Sequence, residues 1–87
     1  MSADFEPPLP RKALGIAVIG CGRIGSLRAK LAAEHPAVTF VALADRDPAR
    51  ARGLASDVGA QFWSPDNLEA MSRPEVGAIV ISTIEVE

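Results

Sequence analysis

The chain has 87 residues, of which 48% are apolar and 23% charged, values typical of a globular protein and enough for one small domain at most. The formal net charge of −2 argues against a nucleic-acid partner, which would require an excess of clustered basic residues. A single cysteine excludes an intrachain disulfide and a cysteine-based zinc site, and we predict no metal site.

The first twelve residues differ in composition from the rest of the chain. They contain Pro7, Pro8 and Pro10, which fix their own φ and donate no backbone hydrogen bond. We therefore expect residues 1–12 to form a disordered, proline-rich tail, with a proline-rich recognition peptide as the alternative. This segment lacks the apolar core of a signal peptide, and no apolar run approaches the roughly 18–20 residues of a membrane span. Together with the single cysteine, this predicts a cytoplasmic protein without a membrane partner.

Residues 13–87 begin with an apolar run, Leu14–Ile19, which predicts a strand buried on both faces. Four apolar residues then recur at helical spacing: Ile24, Leu27, Leu31 and Ala32. We expect this apolar stripe to face the core. The helix should end near His35, because the residue before Pro36 disfavours the α conformation.

A second apolar run, Thr39–Ala44, predicts another buried strand. Asp47 is then a typical helix N-cap, and Pro48 suits the first position of the helix. The apolar positions of this second helix are Ala51, Leu54, Ala55 and Val58. Gly59 is expected to end it.

The last predicted elements are a short strand at Gln61–Trp63, a short helix from Ser64-Pro65 to Met71, and a strand at Ala78–Thr83. Strands that alternate with helices predict an α/β fold with a parallel sheet. We expect a Rossmann-like, doubly wound sheet of strand order 3-2-1-4, truncated after the fourth strand.

Three glycines form a GxGxxG pattern directly between the first strand and the first helix, which is the context that dinucleotide binding requires. Gly20 permits a tight turn, Gly22 lets a pyrophosphate approach the backbone, and Gly25 lets the helix pack closely on the sheet. Free N–H groups at the helix start, near Arg23 and Ile24, would face the anion. The pattern predicts a dinucleotide cofactor as the partner.

An acidic residue completes the pattern. Asp45 ends the second strand, 20 residues after Gly25, where a carboxylate accepts hydrogen bonds from the adenosine ribose hydroxyls. Because this carboxylate would repel a 2′-phosphate, we predict NAD rather than NADP. Arg46 keeps NADP as the alternative, since an arginine beside the acid can contact a 2′-phosphate.

Three stretches of the sequence resemble the N-terminal domain of the Gfo/Idh/MocA oxidoreductases: GIAVIGCGRIG, VTFVALADRDPARARGLASDVGA and EVGAIVISTIEVE. The resemblance covers Leu14 to Glu87 and implies oxidation or reduction of sugars, polyols or related substrates with NAD or NADP. It implies cofactor binding by six of the residues named above: Gly20, Gly22, Arg23, Ile24, Gly25 and Asp45. It also implies that Ser82 and Thr83, at the carboxyl end of the fourth strand, line the cofactor groove.

The sequence departs from the family pattern in two ways. Ile84 stands where the family usually has a proline after the serine–threonine pair, which implies a loop of different shape. The family's Glu-Lys-Pro motif and its substrate-binding sheet domain belong beyond Glu87, and neither Lys12 nor Lys30 replaces that lysine. We therefore assign no catalytic residue. We expect the 87 residues to be inactive alone and to belong to a longer oxidoreductase, whose other domain would bind a small-molecule substrate.

Two other functions remain open at this point, because a fold does not determine a function. The domain could be a non-catalytic module for nucleotide sensing or protein interaction, and a catalytic lysine beyond Glu87 would distinguish the enzyme from it. A sheet that binds flavin or adenosylmethionine is the second alternative. The sequence also leaves a homo-oligomer open.

Overall fold

The computed structural model describes residues 14–83 of the chain. The predicted tail at residues 1–12 and the loop around position 84 lie outside the described residues. Within the described range, no helix combines the length and hydrophobicity needed to cross a membrane.

Seven elements alternate along this part of the chain: β1 (Leu14–Ile19), α1 (Arg23–Glu34), β2 (Val38–Ala44), α2 (Pro48–Val58), β3 (Phe62–Ser64), α3 (Asn67–Met71) and β4 (Ala78–Ile81). The four strands form one parallel sheet of order β3-β2-β1-β4, which confirms the predicted fold class and strand order. The bounds of β1 are the predicted ones, and those of the other three strands differ from the predictions by one or two residues, which is the usual uncertainty at element ends.

The register of the sheet aligns the carboxyl ends of its strands. Ile19 at the end of β1 is paired with Ala44 of β2 and with Ile81 of β4. Ala44 is in turn paired with Ser64, the last residue of β3. The residues that follow these strands therefore lie along one edge of the sheet, where ligands of open α/β folds bind.

The packing of α1 corrects one prediction. Of the four predicted residues, Ala32 packs against the core, but Ile24, Leu27 and Leu31 do not face it: their exposed fractions are 44%, 55% and 59%. The buried residues of α1 are Gly25 and Ala29. Small side chains on this face let the helix axis approach the sheet closely, so the small residues and not the large ones mark the buried side.

The ends of α1 and α2 agree with the prediction. α1 ends at Glu34, and the extended backbone of His35 follows it. Asp47 caps α2 by accepting hydrogen bonds from the N–H groups of Ala49 and Arg50. Gly59 ends α2 with a φ of 74°, a left-handed conformation that glycine adopts without strain.

The start of α3 differs from the prediction. Ser64 is the last residue of β3, and α3 begins at Asn67. The cap is Asp66, whose carboxylate accepts the Leu68 N–H at 2.9 Å. The Ser64 hydroxyl accepts the Asp66 N–H at 2.9 Å, so Ser64 joins the strand to the cap without entering the helix.

The core lies on both faces of the central strands. On the face covered by α1 and α2, buried side chains include Val18, Leu43, Ala51 and Ala55. On the face covered by α3, the buried cluster is almost entirely alanine: Ala17, Ile19, Ala42, Ala44 and Ala70. β4 forms one edge of the sheet, as predicted, and its outward residues Ile79 and Ile81 are exposed.

Candidate functional site

The segment between β1 and α1, residues 20–22, is called the glycine loop below. Gly20 has a φ of 99°, a conformation that residues with a side chain rarely adopt. A Cβ at Gly20 would also lie 2.9 Å from the backbone nitrogen of Thr83. The loop can therefore turn tightly against the end of β4 only because this position is glycine.

Gly22 is the N-cap of α1 and offers no side-chain hydrogen bond to the first turn of the helix. Among the described residues other than Gly22 and its two chain neighbours, no heavy atom lies within 4 Å of the position that a Cβ of Gly22 would occupy. The helix therefore begins with N–H groups that have no side-chain cap, beside open space. This arrangement suits a phosphate group, because an anion accepts such N–H bonds and is favoured by the helix dipole.

Gly25 has a different role from Gly22. A Cβ at Gly25 would collide with the backbone oxygen of Gly20. The glycine therefore permits the first turn of α1 to lie directly on the end of β1, as the pattern predicts. Gly25 is buried and packs against the backbone of the glycine loop.

Asp45 connects β2 to the glycine loop. Its Oδ2 accepts the Cys21 N–H at 2.8 Å, and its Oδ1 accepts the Asp47 N–H at 2.9 Å. The side chain is only 13% exposed, and Arg50 Nη1 lies 3.8 Å from Oδ2. Because a carboxylate has about four lone-pair sites, two remain for hydroxyl donors from a ligand, and the two backbone bonds hold the group in place.

A cleft of about 250 Å³ opens at this edge of the sheet. Its lining residues are Gly20, Gly22, Asp45, Arg46, Arg50, Asn67, Ser82 and Thr83. The structure thus brings together six of the nine residues predicted from the sequence. Of the other three, Arg23 and Ile24 are exposed at the start of α1, and Gly25 lies under the loop.

The prediction did not include Arg50 and Asn67, which also line the cleft. Both lie in the first turn of a helix, Arg50 in α2 and Asn67 in α3. In a parallel α/β sheet, every such helix begins at the carboxyl edge of the strands. Polar residues in first helical turns are therefore the sequence signal that could have identified them.

The end of β4 forms the opposite wall of the cleft. The Ser82 N–H donates to the Ile19 carbonyl at 2.7 Å, which extends the pairing of β4 with β1 by one bond. Ser82 is 6% exposed, and Thr83 beside it is exposed. The Ser82 hydroxyl accepts a 3.1 Å hydrogen bond from Nη1 of Arg28, which lies on α1.

Cys21 is the middle residue of the glycine loop and is buried. Its burial, and secondly the negative charge of Asp45, raise the pKa of the thiol to about 11. The Sγ atom lies 3.5 Å from the Ala44 carbonyl oxygen, to which it donates. The thiol is therefore protonated at neutral pH and packs as a small apolar group.

Residues 14–85 match the model of the Gfo/Idh/MocA oxidoreductase family, described as an NAD-binding Rossmann fold.

Two curated relatives align with the chain. The scyllo-inositol 2-dehydrogenase (NAD(+)) of Bacillus subtilis (strain 168) is 35% identical over 68 residues, which are 77% of this chain and 20% of that protein. The inositol 2-dehydrogenase of Rhizobium meliloti (strain 1021) is 35% identical over 66 residues, 76% of this chain and 19% of that protein. The chain thus spans about one fifth of the length of these curated relatives.

Two solved structures share the fold. GenD2 from gentamicin A biosynthesis, in complex with NAD, superimposes on this chain with a TM-score of 0.74 at 29% sequence identity. The match covers 88% of this chain and 23% of the GenD2 chain. The myo-inositol dehydrogenase of Lactobacillus casei, in complex with NAD(H) and myo-inositol, gives a TM-score of 0.74 at 20% sequence identity. The match covers 83% of this chain and 22% of the dehydrogenase chain. At that identity the second likeness establishes the fold alone.

Proposed function

Because the chain belongs to the Gfo/Idh/MocA oxidoreductase family and has its NAD-binding Rossmann fold, we propose that the cleft holds the adenosine and pyrophosphate of NAD. The observation that carries this proposal is the common cleft of Gly22 and Asp45. Open space at a helix N-terminus suits the pyrophosphate, and a fixed carboxylate beside it suits the ribose hydroxyls.

The proposed contacts follow from the positions of the residues. The N–H groups near Arg23 and Ile24 would bind the pyrophosphate across the open space at Gly22. Asp45 would accept the hydroxyls of the adenosine ribose. Ser82 and Thr83 would line the path of the remaining half of the dinucleotide.

The carboxylate of Asp45 favours a dinucleotide whose ribose carries no additional phosphate. Asp45 lines the cleft, and its carboxylate would accept the ribose hydroxyls and repel a 2′-phosphate. Arg46 and Arg50 partly offset this repulsion, because both line the same cleft. We therefore propose NAD as the preferred cofactor and NADP as a weaker ligand.

We further propose that the whole protein transfers hydride between NAD and a polyol or sugar. The support is family membership and the names of the two relatives, both inositol dehydrogenases. The nicotinamide ring supplies the hydride chemistry when NAD is bound. The described residues would bind and orient the cofactor, since neither lysine nor histidine is among the residues that line the cleft.

Calorimetric titration of the 87-residue chain with NAD and with ADP-ribose tests this proposal. We expect weak binding of both with similar affinity, because the proposed contacts involve the ADP-ribose portion and few involve nicotinamide. An absorbance assay for NADH with inositol should show no turnover by this chain. A folded chain that binds neither ligand would contradict the proposed function.

A further inference from the structure

Arg28 lies in the middle of α1, outside the GxGxxG pattern, and is not among the residues that line the cleft. Its Nη1 donates to the hydroxyl of Ser82 at 3.1 Å and to the carbonyl oxygen of Ile81 at 3.3 Å. One guanidinium group therefore connects α1 to Ile81, the last residue of β4, and to Ser82, which follows it. The glycine pattern of the sequence indicates no such contact.

Ser82 is held from two sides. On one side, its N–H bonds to Ile19, and its backbone carbon lies 2.9 Å from the position that a Cβ of Gly20 would occupy. On the other side, Arg28 bonds to its side chain. The end of β4 is thus fixed between the glycine loop and α1. Within residues 14–83, β4 has four residues and pairs with β1 alone, so side-chain contacts of this kind help to fix its position.

We infer that Arg28 is a positioning residue of the dinucleotide site: it fixes Ser82 and Thr83 as the wall along which the nicotinamide half of the cofactor extends. This inference rests on the proposed function. Arg28 acts through Ser82 and not on the ligand, because Ser82 and Thr83 line the cleft and Arg28 does not.

The strand order indicates which half of the ligand depends on Arg28. Asp45 follows β2, the glycine loop follows β1, and Ser82 follows β4, and these strands are neighbours in the order β2-β1-β4. A dinucleotide with its ribose at Asp45 and its pyrophosphate at the glycine loop therefore continues toward Ser82. ADP would occupy only the β2 and β1 sides of the cleft, whereas NAD would reach the β4 side.

The test compares the dissociation constants of NAD and ADP for the 87-residue chain and its Arg28→Met variant, measured by calorimetry. Methionine keeps an unbranched side chain and removes the charge and the hydrogen bonds. We expect NAD to bind about threefold to tenfold more weakly and ADP less than about twofold more weakly, in line with the loss of the two hydrogen bonds of an exposed arginine. Thermal unfolding of each variant checks that the fold is retained.

Three further variants distinguish a positioning role of Arg28 from a general electrostatic effect of its positive charge. Lys30→Met removes a cation from an exposed position on the same helix and should leave both affinities unchanged. Arg28→Lys keeps the positive charge and a hydrogen-bond donor group, although not the planar guanidinium. It should fold like the parent chain and should recover part of the NAD affinity. In the Ser82→Ala background, Arg28→Met should weaken NAD binding less than in the parent chain, because the two residues act as a pair.

The outcomes distinguish the two proposals. If ADP and NAD lose affinity equally, or if Lys30→Met has the effect of Arg28→Met, Arg28 is not a positioning residue. The same conclusion follows if neither Arg28 variant alters the NAD affinity. If the unsubstituted chain binds ADP and NAD, the proposed function stands regardless of these results. If it binds neither, the proposed function fails and this inference fails with it.

Discussion

The backbone N–H of Cys21 donates a 2.8 Å hydrogen bond to Oδ2 of Asp45. The bond joins the loop after β1 to the end of β2, two segments 24 residues apart in the chain. Asp45 thus has a structural role in addition to its proposed contact with the ribose. Its second oxygen holds the Asp47 N–H, so the start of α2 depends on the same carboxylate.

We expect Asp45→Ala to weaken both NAD binding and folding. Loss of the ribose acceptor should weaken NAD binding by about tenfold to a hundredfold. The Cys21 N–H would lose its partner, which should lower the free energy of unfolding by about 1–3 kcal/mol. Calorimetry and urea denaturation measure the two effects. Asp57→Ala is the matched control: Asp57 is exposed near the carboxyl end of α2, so its removal should leave NAD binding unaltered and should not lower the free energy of unfolding.

Gly22→Val should abolish NAD binding without unfolding the chain. The structure leaves open space at this position, so the valine side chain would occupy the proposed pyrophosphate site and little else. The free energy of unfolding should change by less than about 1 kcal/mol, the scale of an N-cap exchange. Calorimetry and urea denaturation of the same sample test both parts. Unaltered NAD affinity in a folded variant would contradict the proposed pyrophosphate site.

Gly25→Ala should have the opposite effect and destabilise the fold. The new Cβ would collide with the Gly20 carbonyl oxygen, and α1 would have to move away from β1. We expect a loss of about 2 kcal/mol or more, as for an overpacked core. The control is Gly53→Ala in α2, where the new Cβ would have no described heavy atom within 4 Å apart from its chain neighbours and the nearby backbone of α2. That exchange should raise stability by about 0.5–1 kcal/mol, because alanine favours the helix.

The unsubstituted chain should bind NAD more tightly than NADP, because Asp45 lies at the proposed ribose position. Arg50 lies 3.8 Å from this carboxylate and lines the same cleft, so it should moderate the repulsion of a 2′-phosphate. Arg50→Gln should therefore weaken NADP about threefold more than NAD. Competition titrations with both dinucleotides measure the ratio. Tighter binding of NADP than NAD by the unsubstituted chain would show the assignment to be wrong.

The buried thiol of Cys21 should make stability depend on alkaline pH. Burial and the Asp45 charge raise the pKa of the thiol from 9.0 to about 11, so the unfolded chain loses the proton first as pH rises. The free energy of unfolding should be unaffected by this group below about pH 9 and should fall between about pH 9 and 11, by roughly 1–3 kcal/mol. Urea denaturation across this range measures it.

Cys21→Ala is the control for this pH dependence. Alanine retains a small apolar side chain in the loop and has no proton to lose. The chain contains no tyrosine, so phenol ionisation does not contribute to the alkaline range. The difference between parent and variant should therefore isolate the thiol, and an identical pH profile for the two chains would rule out this effect.

The amino-acid sequence by itself was sufficient to predict the strand order and most of the cleft. Apolar runs that alternate with helical patterns allow few topologies, because the crossover connections between parallel strands are almost always right-handed. Gly20, Gly22 and Asp45 could be identified because their residue types are demanded by local backbone geometry and by spacing. Asp47 and Gly59 likewise set the ends of α2 through local hydrogen bonds and a left-handed φ.

The tertiary structure alone decided which side of α1 is buried. Hydrophobic periodicity favoured the side with Leu27 and Leu31, whereas close packing on the sheet selected the side with Gly25 and Ala29. The distance between α1 and the sheet determines which side of the helix is buried. A hydrophobic pattern in the sequence carries no information about that distance. For the same reason, the bond from Arg28 to Ser82, across 54 residues, became visible only when the register of β4 placed its end beside α1.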